Sequence, residues 1–513
     1  MQIDLLVRIC YNIGASFGAE INSSHRRGNS RTIRGYVPER GLLINPVDYK
    51  KYTAYVTWLT TDPSALGVRT DELTNTAGVY FSAFYNYKNL YSFNFNTRMD
   101  ASNKFGSRSN ERLLPVWSVS GMWNIQETFL KEASWLSEMR LRMSYGMQGN
   151  MLDGQTPNML ITQQPINSYY NENVSNVYQF PNPNLKWEST TSWNIGTDLT
   201  FLKGRLSANL DVYKKITTDL LVSRELPSLI GYSSVMSNIG EVQNTGVELS
   251  LNSTNIRMDK LTWRTSFSLA YNKNKITHLY GIMEDVKDAD GNVIGQREAD
   301  DIKNKRFIGH DIDEIWDYKV VGIWQEEERE EAAKYGQQPG DVHLLDKDMN
   351  YKYDNTDKEF QGTTMPRLRW SMRNDFTLFK NFNISFNMYS YIGHKKTLGR
   401  FTNDNALLNV TNQIKRDYWT PENRNNEYPR LANKKPAGVS YAIYKNASFL
   451  RFDNISIGYT FPKKLIEPLR IQNLNVNATM KNAGYISGWP GYDPENSDAN
   501  TPRVIYFGIN LTL

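Results

Sequence analysis

The 513-residue chain contains a single cysteine, Cys10. No disulfide can form within it, which excludes a small fold stapled by cystines. Long apolar runs are also missing. No stretch approaches the roughly 18–20 uninterrupted apolar residues of a membrane-spanning helix, and the mean hydropathy is −0.58. Histidine is sparse. His25, His278, His310, His343 and His394 are scattered, and none forms an H-E-x-x-H or Cys/His cluster that would hold a catalytic metal. There is no G-x-S-x-G elbow and no P-loop. Only a glycosidase with two carboxylates far apart in sequence stays open as an enzyme reading. Neither sign of charge dominates. A net charge of +5, with no basic stripe or arginine-rich tail, argues against a nucleic-acid partner. Met1 to Arg8 lack the basic n-region, apolar h-region and small-residue cleavage site of a signal peptide. An exported protein needs such a signal, so the chain is expected to be a piece of a longer one.

Aromatic residues are abundant, at 12% of the chain, with 31 Tyr and 12 Trp. Many lie in strict alternation. In Tyr91 to Asn96 the odd positions are aromatic and the even ones polar. Trp193, Ile195, Leu199 and Phe201 alternate with Asn194, Gly196, Asp198 and Thr200. The same period recurs at Val247 to Asn252, Leu261 to Tyr271, Leu368 to Leu378 and Ile505 to Leu513. Period two gives a strand one apolar and one polar face. Several runs exceed the usual strand of about 5–6 residues. They reach the roughly 9–11 residues of a tilted membrane strand.

The connections alternate too. Short turns are predicted at Tyr87-Lys88-Asn89, Lys203-Gly204-Arg205, Arg257 to Lys260 and Lys380-Asn381. Long polar loops are predicted at about 148–187, 217–242, 273–366, 395–447 and 483–501. Alternating short and long connections suit an all-β, transmembrane antiparallel β-barrel with periplasmic turns and outer loops. The C-terminus would then be periplasmic. The expectation is a partial barrel of about 14–16 strands, with boundaries good to a few residues. Residues 1–76 read least clearly, and 77–513 carry the barrel pattern. Gln325 to Tyr335, followed by Gly336, predicts a short helix with a glycine stop.

Several segments, in order, match a known family. They are Tyr91 to Gly106 (YSFNFNTRMDASNKFG), Pro115 to Ser120, Glu127 to Leu130, Leu141 to Gly146 and Gln148-Gly149-Asn150. Further along come Pro183 to Glu188 (PNLKWE), Asn238 to Glu248 (NIGEVQNTGVE), Val321 to Gln325, Pro339 to Val342 (PGDV), Phe449 to Phe452, Gly458 to Thr460 and Gly491 to Glu495 (GYDPE). From about residue 77 to the end, the chain resembles the barrel of SusC/RagA-like TonB-dependent transporters. The resemblance implies a 22-stranded barrel closed by an N-terminal plug, lodged in the cell outer membrane. It implies a SusD-like surface lipoprotein partner and TonB-driven import of oligosaccharides or peptides. On that resemblance this sequence is expected to be without the plug, the TonB box, the small N-terminal β-sandwich and the first strands. It ends in Leu513, where the family usually ends in an aromatic residue.

Two candidate sites emerge. Asp346, Asp348, Asn350, Asp354 and Asp357, with the Lys352 carbonyl, have the ligand spacing of an EF-hand-type calcium loop. Tyr351 replaces the turn glycine, and Asp357 the bidentate Glu. These departures favour the other reading, an acidic loop of Asx-turns. The second candidate is a set of aromatic residues near predicted outer loops: Tyr169, Tyr170, Trp316, Trp324, Trp419, Trp489 and Tyr492. Flat rings suit sugar faces, although girdle or loop packing is the better reading of any one of them. Arg264, Arg369, Arg373 and Asp375 fall on polar strand faces, where a wet lumen or a plug would receive them. The function expected is active nutrient import without catalysis, with no cofactor required and calcium possible. The alternatives are a passive porin-like barrel and a secreted carbohydrate-binding β protein.

Overall fold

A computed structural model describes residues 11–37, 41, 43–44, 47–103, 114–150, 158–167, 169–170, 172–225, 229, 234–288, 291–398, 417–431, 433–496 and 499–513. Fourteen strands form one sheet. They are β1 (Tyr11–Ser30), β2 (Val68–Tyr87), β3 (Tyr91–Ser102), β4 (Leu114–Asn124), β5 (Leu136–Asn150), β6 (Glu188–Phe201) and β7 (Leu206–Glu225). The others are β8 (Ser234–Met258), β9 (Leu261–Leu279), β10 (Leu368–Leu378), β11 (Phe382–Ile392), β12 (Phe449–Thr460), β13 (Asn473–Ser487) and β14 (Val504–Thr512). Each pairs with its neighbours in sequence order, a simple antiparallel meander. The count falls inside the expected range. Strand lengths run from 9 to 25 residues. No described helix is long and apolar enough to cross a membrane, which says nothing about strands.

The predicted tight turns are present. Lys88 and Asn89 both adopt φ above zero, at 52° and 55°. The Leu90 N–H returns to the Tyr87 carbonyl at 2.9 Å. Two successive left-handed residues give the turn whose twist matches the flanking strands. Phe379 and Lys380 repeat the device at 50° and 69°. The long connections are shorter than expected, with β9 running to Leu279 and β13 to Ser487, and differ most in one place. Residues 217–242 are mostly strand, since β7 continues to Glu225 and β8 begins at Ser234. Alternation is lost there, at Leu220-Leu221-Val222 for example, while the strands continue, so the strands outlast the period-two signal.

The chain divides into two compact units. One comprises residues 1–121, 144–192 and 216–241. Within it, β1 and β2 pair from Tyr11↔Tyr87 to Ser30↔Val68. Arg98 joins Asp100 at 2.8 Å and Glu20 at 3.2 Å. Two of the quoted motifs meet here. The Asn238 amide donates to the carbonyls of Lys186 and Asp219, and its oxygen accepts the Lys186 N–H. Lys186 also pairs with Asp219 at 2.9 Å. The Pro183–Glu188 and Asn238–Glu248 segments are therefore the two halves of one clasp.

The second unit comprises residues 122–143, 193–215 and 242–513. Its strand register shows both faces directly. Leu261↔Leu378, Trp263↔Phe376, Phe267↔Met372 and Leu269↔Trp370 share the apolar face. Arg264↔Asp375, Ser266↔Arg373 and Ala270↔Arg369 share the other. Trp263 and Phe376 stack at 5.5 Å, and Phe376 stacks on Phe386 at 6.2 Å. Asn374 is a polar intruder among these rings. Its amide oxygen accepts from Trp263 Nε1 at 3.0 Å and Thr265 Oγ1 at 2.7 Å, so its burial leaves that acceptor satisfied. On the polar face Arg142 binds Asp198 through two bonds of 2.9 Å and reaches Asp211 at 3.2 Å.

Candidate functional site

The connections from β9 to β10 and from β11 to β12 fold into a structure of their own. Glu314–Tyr318 pairs with Lys358–Thr363, and Val320–Ile323 with Val342–Leu344. A 3-10 turn at Glu326–Glu328 leads into a helix at Arg329–Lys334, and Gly336 at φ 69° ends it as predicted. Tyr318, Ile323, Val342, Leu344, Leu398, Trp419, Tyr441, Ile443, Ala447 and Trp489 form a buried hydrophobic cluster.

Burial accounts for four of the aromatic candidates, of which Trp419 and Trp489 lie in this cluster. Trp316, Trp324, Trp419 and Trp489 are 9%, 2%, 4% and 7% exposed, so their rings do not face solvent. Trp324 stacks on His343 at 3.5 Å and donates to Gln337 at 3.0 Å. Burial holds the His343 imidazole below its usual pKa. The indole N–H of Trp419 donates to Gln325 at 3.0 Å. Trp316 packs on Phe307 at 4.8 Å, beneath the Lys358 ammonium. Tyr492 is half-buried, and its carbonyl accepts from the Tyr485 hydroxyl. Only Tyr169 and Tyr170, at 86% and 68% exposure, present open rings. They form an edge-to-face pair between the strands Leu160–Asn167 and Glu172–Gln179.

Two of the quoted motifs turn out to be structural anchors. Asp341 of the PGDV segment is fully buried. It accepts from Arg430 Nε at 2.8 Å, Lys434 N–H at 3.0 Å and Gln338 N–H at 3.1 Å. Gly340 has φ 88°, and a Cβ there would meet Trp419 Cε3 at 2.5 Å. Only glycine fits that combination. Asp493 of the GYDPE segment is also buried and pairs with buried Arg451 at 2.6 Å. Backbone N–H groups and Arg451 hold its carboxyl below the usual range against the opposing effect of burial.

The acidic loop comes together in part. Carboxylate oxygens of Asp346, Asp348 and Asp357 all lie within 4.8 Å of one another. The other expected ligands are engaged elsewhere. Asp354 caps Thr356, accepting its N–H and hydroxyl at 2.7 Å. The Asn350 oxygen accepts the Lys352 N–H at 2.7 Å. The clustered oxygens also have internal donors. Asp346 accepts from Tyr335 Oη at 3.0 Å and the Tyr351 N–H at 2.9 Å. Asp357 accepts the N–H groups of Lys347 and Asp354, both at 2.9 Å. The arrangement is the Asx-turn network described above. Burial and the Asp346 carboxylate push the Asp348 pKa up.

A polar cavity of about 350 Å³ lies where the long connection meets the middle of β7, β8 and β9 and the start of β10. The sequence reading did not bring its lining residues together, although Asn244 and Glu248 lie in the quoted NIGEVQNTGVE segment and Arg369 on a polar face. Asn244, Asn272 and Asn274 line one side. The Asn244 oxygen accepts from Asn274 Nδ2 at 3.0 Å and Asn272 Nδ2 at 3.4 Å. Tyr213 donates to Asn272 at 3.2 Å, and the Ile312 N–H donates to Asn274 at 3.1 Å. Glu248, Asp311, Asp313, Arg367 and Arg369 complete the lining. The signal was the polar period-two pair Asn272 and Asn274, which continues β9 past its apolar run.

Long alternating strands joined by short turns and by folded long connections are the pattern of an outer-membrane β-barrel wall. Comparison with known proteins agrees. The model of the family described as TonB dependent receptor-like, beta-barrel matches residues 11–483, and the chain belongs to that family. It is 30% identical over 471 residues to the TonB-dependent receptor SusC of Bacteroides thetaiotaomicron, covering 86% of this chain and 44% of that protein. It is 29% identical over 444 residues to the TonB-dependent receptor P3 of Formosa agariphila, covering 83% and 42%. The fold matches the RagAB peptide transporter with a TM-score of 0.74 at 21% identity, covering 98% of this chain and 53% of that one. The chain thus spans less than half the length of these curated relatives. It is a SusC/RagA-like outer-membrane barrel.

Proposed function

We propose that this chain is the barrel part of a TonB-dependent importer that takes up an oligosaccharide or peptide with a SusD-like surface lipoprotein. The family match over residues 11–483 carries the reading. The relative named SusC and the fold shared with a peptide transporter support it. In this mechanism solute binds among the folded outer connections. A plug is then displaced by the pull of TonB, and no bond is broken. The polar strand face, with Arg142, Asp198, Asp211, Arg264 and Asp375, would be the wet inner wall. Tyr169 and Tyr170 remain the open rings best suited to a first contact with solute. The test is uptake of labelled maltohexaose and of labelled oligopeptides by cells that carry the full-length protein. Accumulation that stops when TonB is deleted is expected. Uptake that continues without TonB would favour the passive porin-like alternative. The import itself needs no cofactor in this reading. Calcium at Asp346, Asp348 and Asp357 would only stiffen a loop, and calorimetry that shows no heat with Ca²⁺ would remove that role.

A further inference from the structure

We infer that the cavity lined by Glu248, Asp311, Asp313, Arg367 and Arg369 binds a dipolar solute, one that carries a cationic and an anionic group together. The inference rests on the import reading and narrows its solute. Elsewhere on this wall, opposite charges find each other. Arg373 pairs with Asp375 at 2.9 Å, and Arg142 with Asp198 at the same distance. In the cavity they do not. Three carboxylates and two guanidinium groups share about 350 Å³. Among the described residues no ion pair joins any of the five. The Asp311 carboxylate accepts only the backbone N–H of Asp313, at 3.0 Å, among the described residues. Arg367 Nε is buried without an acceptor. Arg369 is 5.5 Å from the Tyr391 ring, a cation–π contact that leaves its hydrogen-bond donors free.

The frame behind these charges is fixed. The asparagine amides bind one another, Tyr213 and the Ile312 N–H, so the cavity wall is held before any ligand arrives. Preorganised charges bind without first giving up their own partners. A neutral sugar would use the amides and gain nothing from the five charges. A solute with both signs would satisfy guanidinium and carboxylate groups at once, through charge-assisted hydrogen bonds. That chemistry occurs in peptides and in glycans built from amino sugars and uronic acids.

The test uses the full-length protein in detergent micelles and calorimetry. The probes are penta-alanine, the same peptide acetylated and amidated, a glucosamine–glucuronate tetrasaccharide with free amines, and maltohexaose. At least one dipolar probe is expected to bind. Blocking the charges of penta-alanine should weaken its binding about tenfold or more, if the peptide is the ligand. Arg367→Gln and Glu248→Gln should each weaken the dipolar probe by about tenfold and leave maltohexaose unchanged. Heat-modifiable migration on gels confirms that the variants fold. Equal affinity for maltohexaose and the dipolar probes, or a dipolar affinity that neither variant changes, would overturn the inference. So would failure of both dipolar probes to bind. Persistent TonB-dependent uptake in those cases keeps the import reading intact. Dipolar binding without TonB-dependent uptake would leave the site standing and remove the import reading instead.

Discussion

Trp193 and Trp324 belong to the same chain under opposite rules. Trp193 lies on β6 and is 53% exposed, in a row with Ile195 at 52%. Trp324 lies in the β9–β10 connection and is 2% exposed. The wall turns its apolar face outward because hydrocarbon is its solvent there. The connection stands in water and turns its apolar residues inward, as a soluble domain does. One sequence therefore holds two folding problems. Its polar average hides them both, because each region supplies the apolar surface that the other's rule would forbid.

Three measurements would break or sharpen this contrast. Trp324→Ala removes a ring from a packed aqueous core, a loss of about 3–5 kcal/mol. The connection between β9 and β10 should become protease-sensitive while the wall keeps its heat-modifiable migration. Loss of both together would show that the two regions fold as one. Ile195→Arg places a charge on the outward apolar face, at a cost of about 2–4 kcal/mol near the bilayer midplane. Denaturant unfolding in liposomes should show it, with loop protease resistance unchanged. An unaltered midpoint would mean that this face does not meet lipid.

The third measurement uses pH. His394 is 4% exposed at the foot of the second connection. Burial, then the charges of Lys396 and Arg369, bring its pKa from 6.5 down to about 4. The unfolded chain therefore binds the proton more readily. Its contribution is complete above pH 6.5 and declines as pH falls toward 4. Between pH 7 and 5 the local loss should be about 2 kcal/mol. The Ala447 N–H donates to the His394 carbonyl at 3.0 Å. Its hydrogen exchange should accelerate over that window, and His394→Gln should flatten the profile.

The wall was legible in the sequence because its physics is periodic. Leu368 to Leu378 reads as one strand and is one. The turns at Lys88-Asn89 and Lys380-Asn381 stand between complementary runs and fold as expected. The connections were not legible, because a core assembled from distant short segments leaves no local period. Trp419 and Trp489 were candidates for solute contact, with loop packing the better reading of either. They became core only when residues 318–344, 398, 419–447 and 489 met. The same limit hid the polar cavity. Asn244, Asn272 and Arg367 come from two strand interiors and the entry to a third, and carry no motif in common. PGDV and GYDPE marked the right places, but as anchors for buried carboxylates rather than as contacts for solute.

The neck of the β9–β10 connection has a consequence for how such proteins diversify. The two strands stay in register up to Tyr271↔Leu368, and the Asn272 N–H then reaches the Arg367 carbonyl at 3.0 Å. The segment beyond that rung leaves and returns through one narrow gate. Closing a loop costs little more when it is longer, so its length is nearly free to change. The gate is a splice point. A different folded cassette inserted there would have to keep the surface that covers Trp419, Ile443 and Trp489, while the paired strands below kept their register.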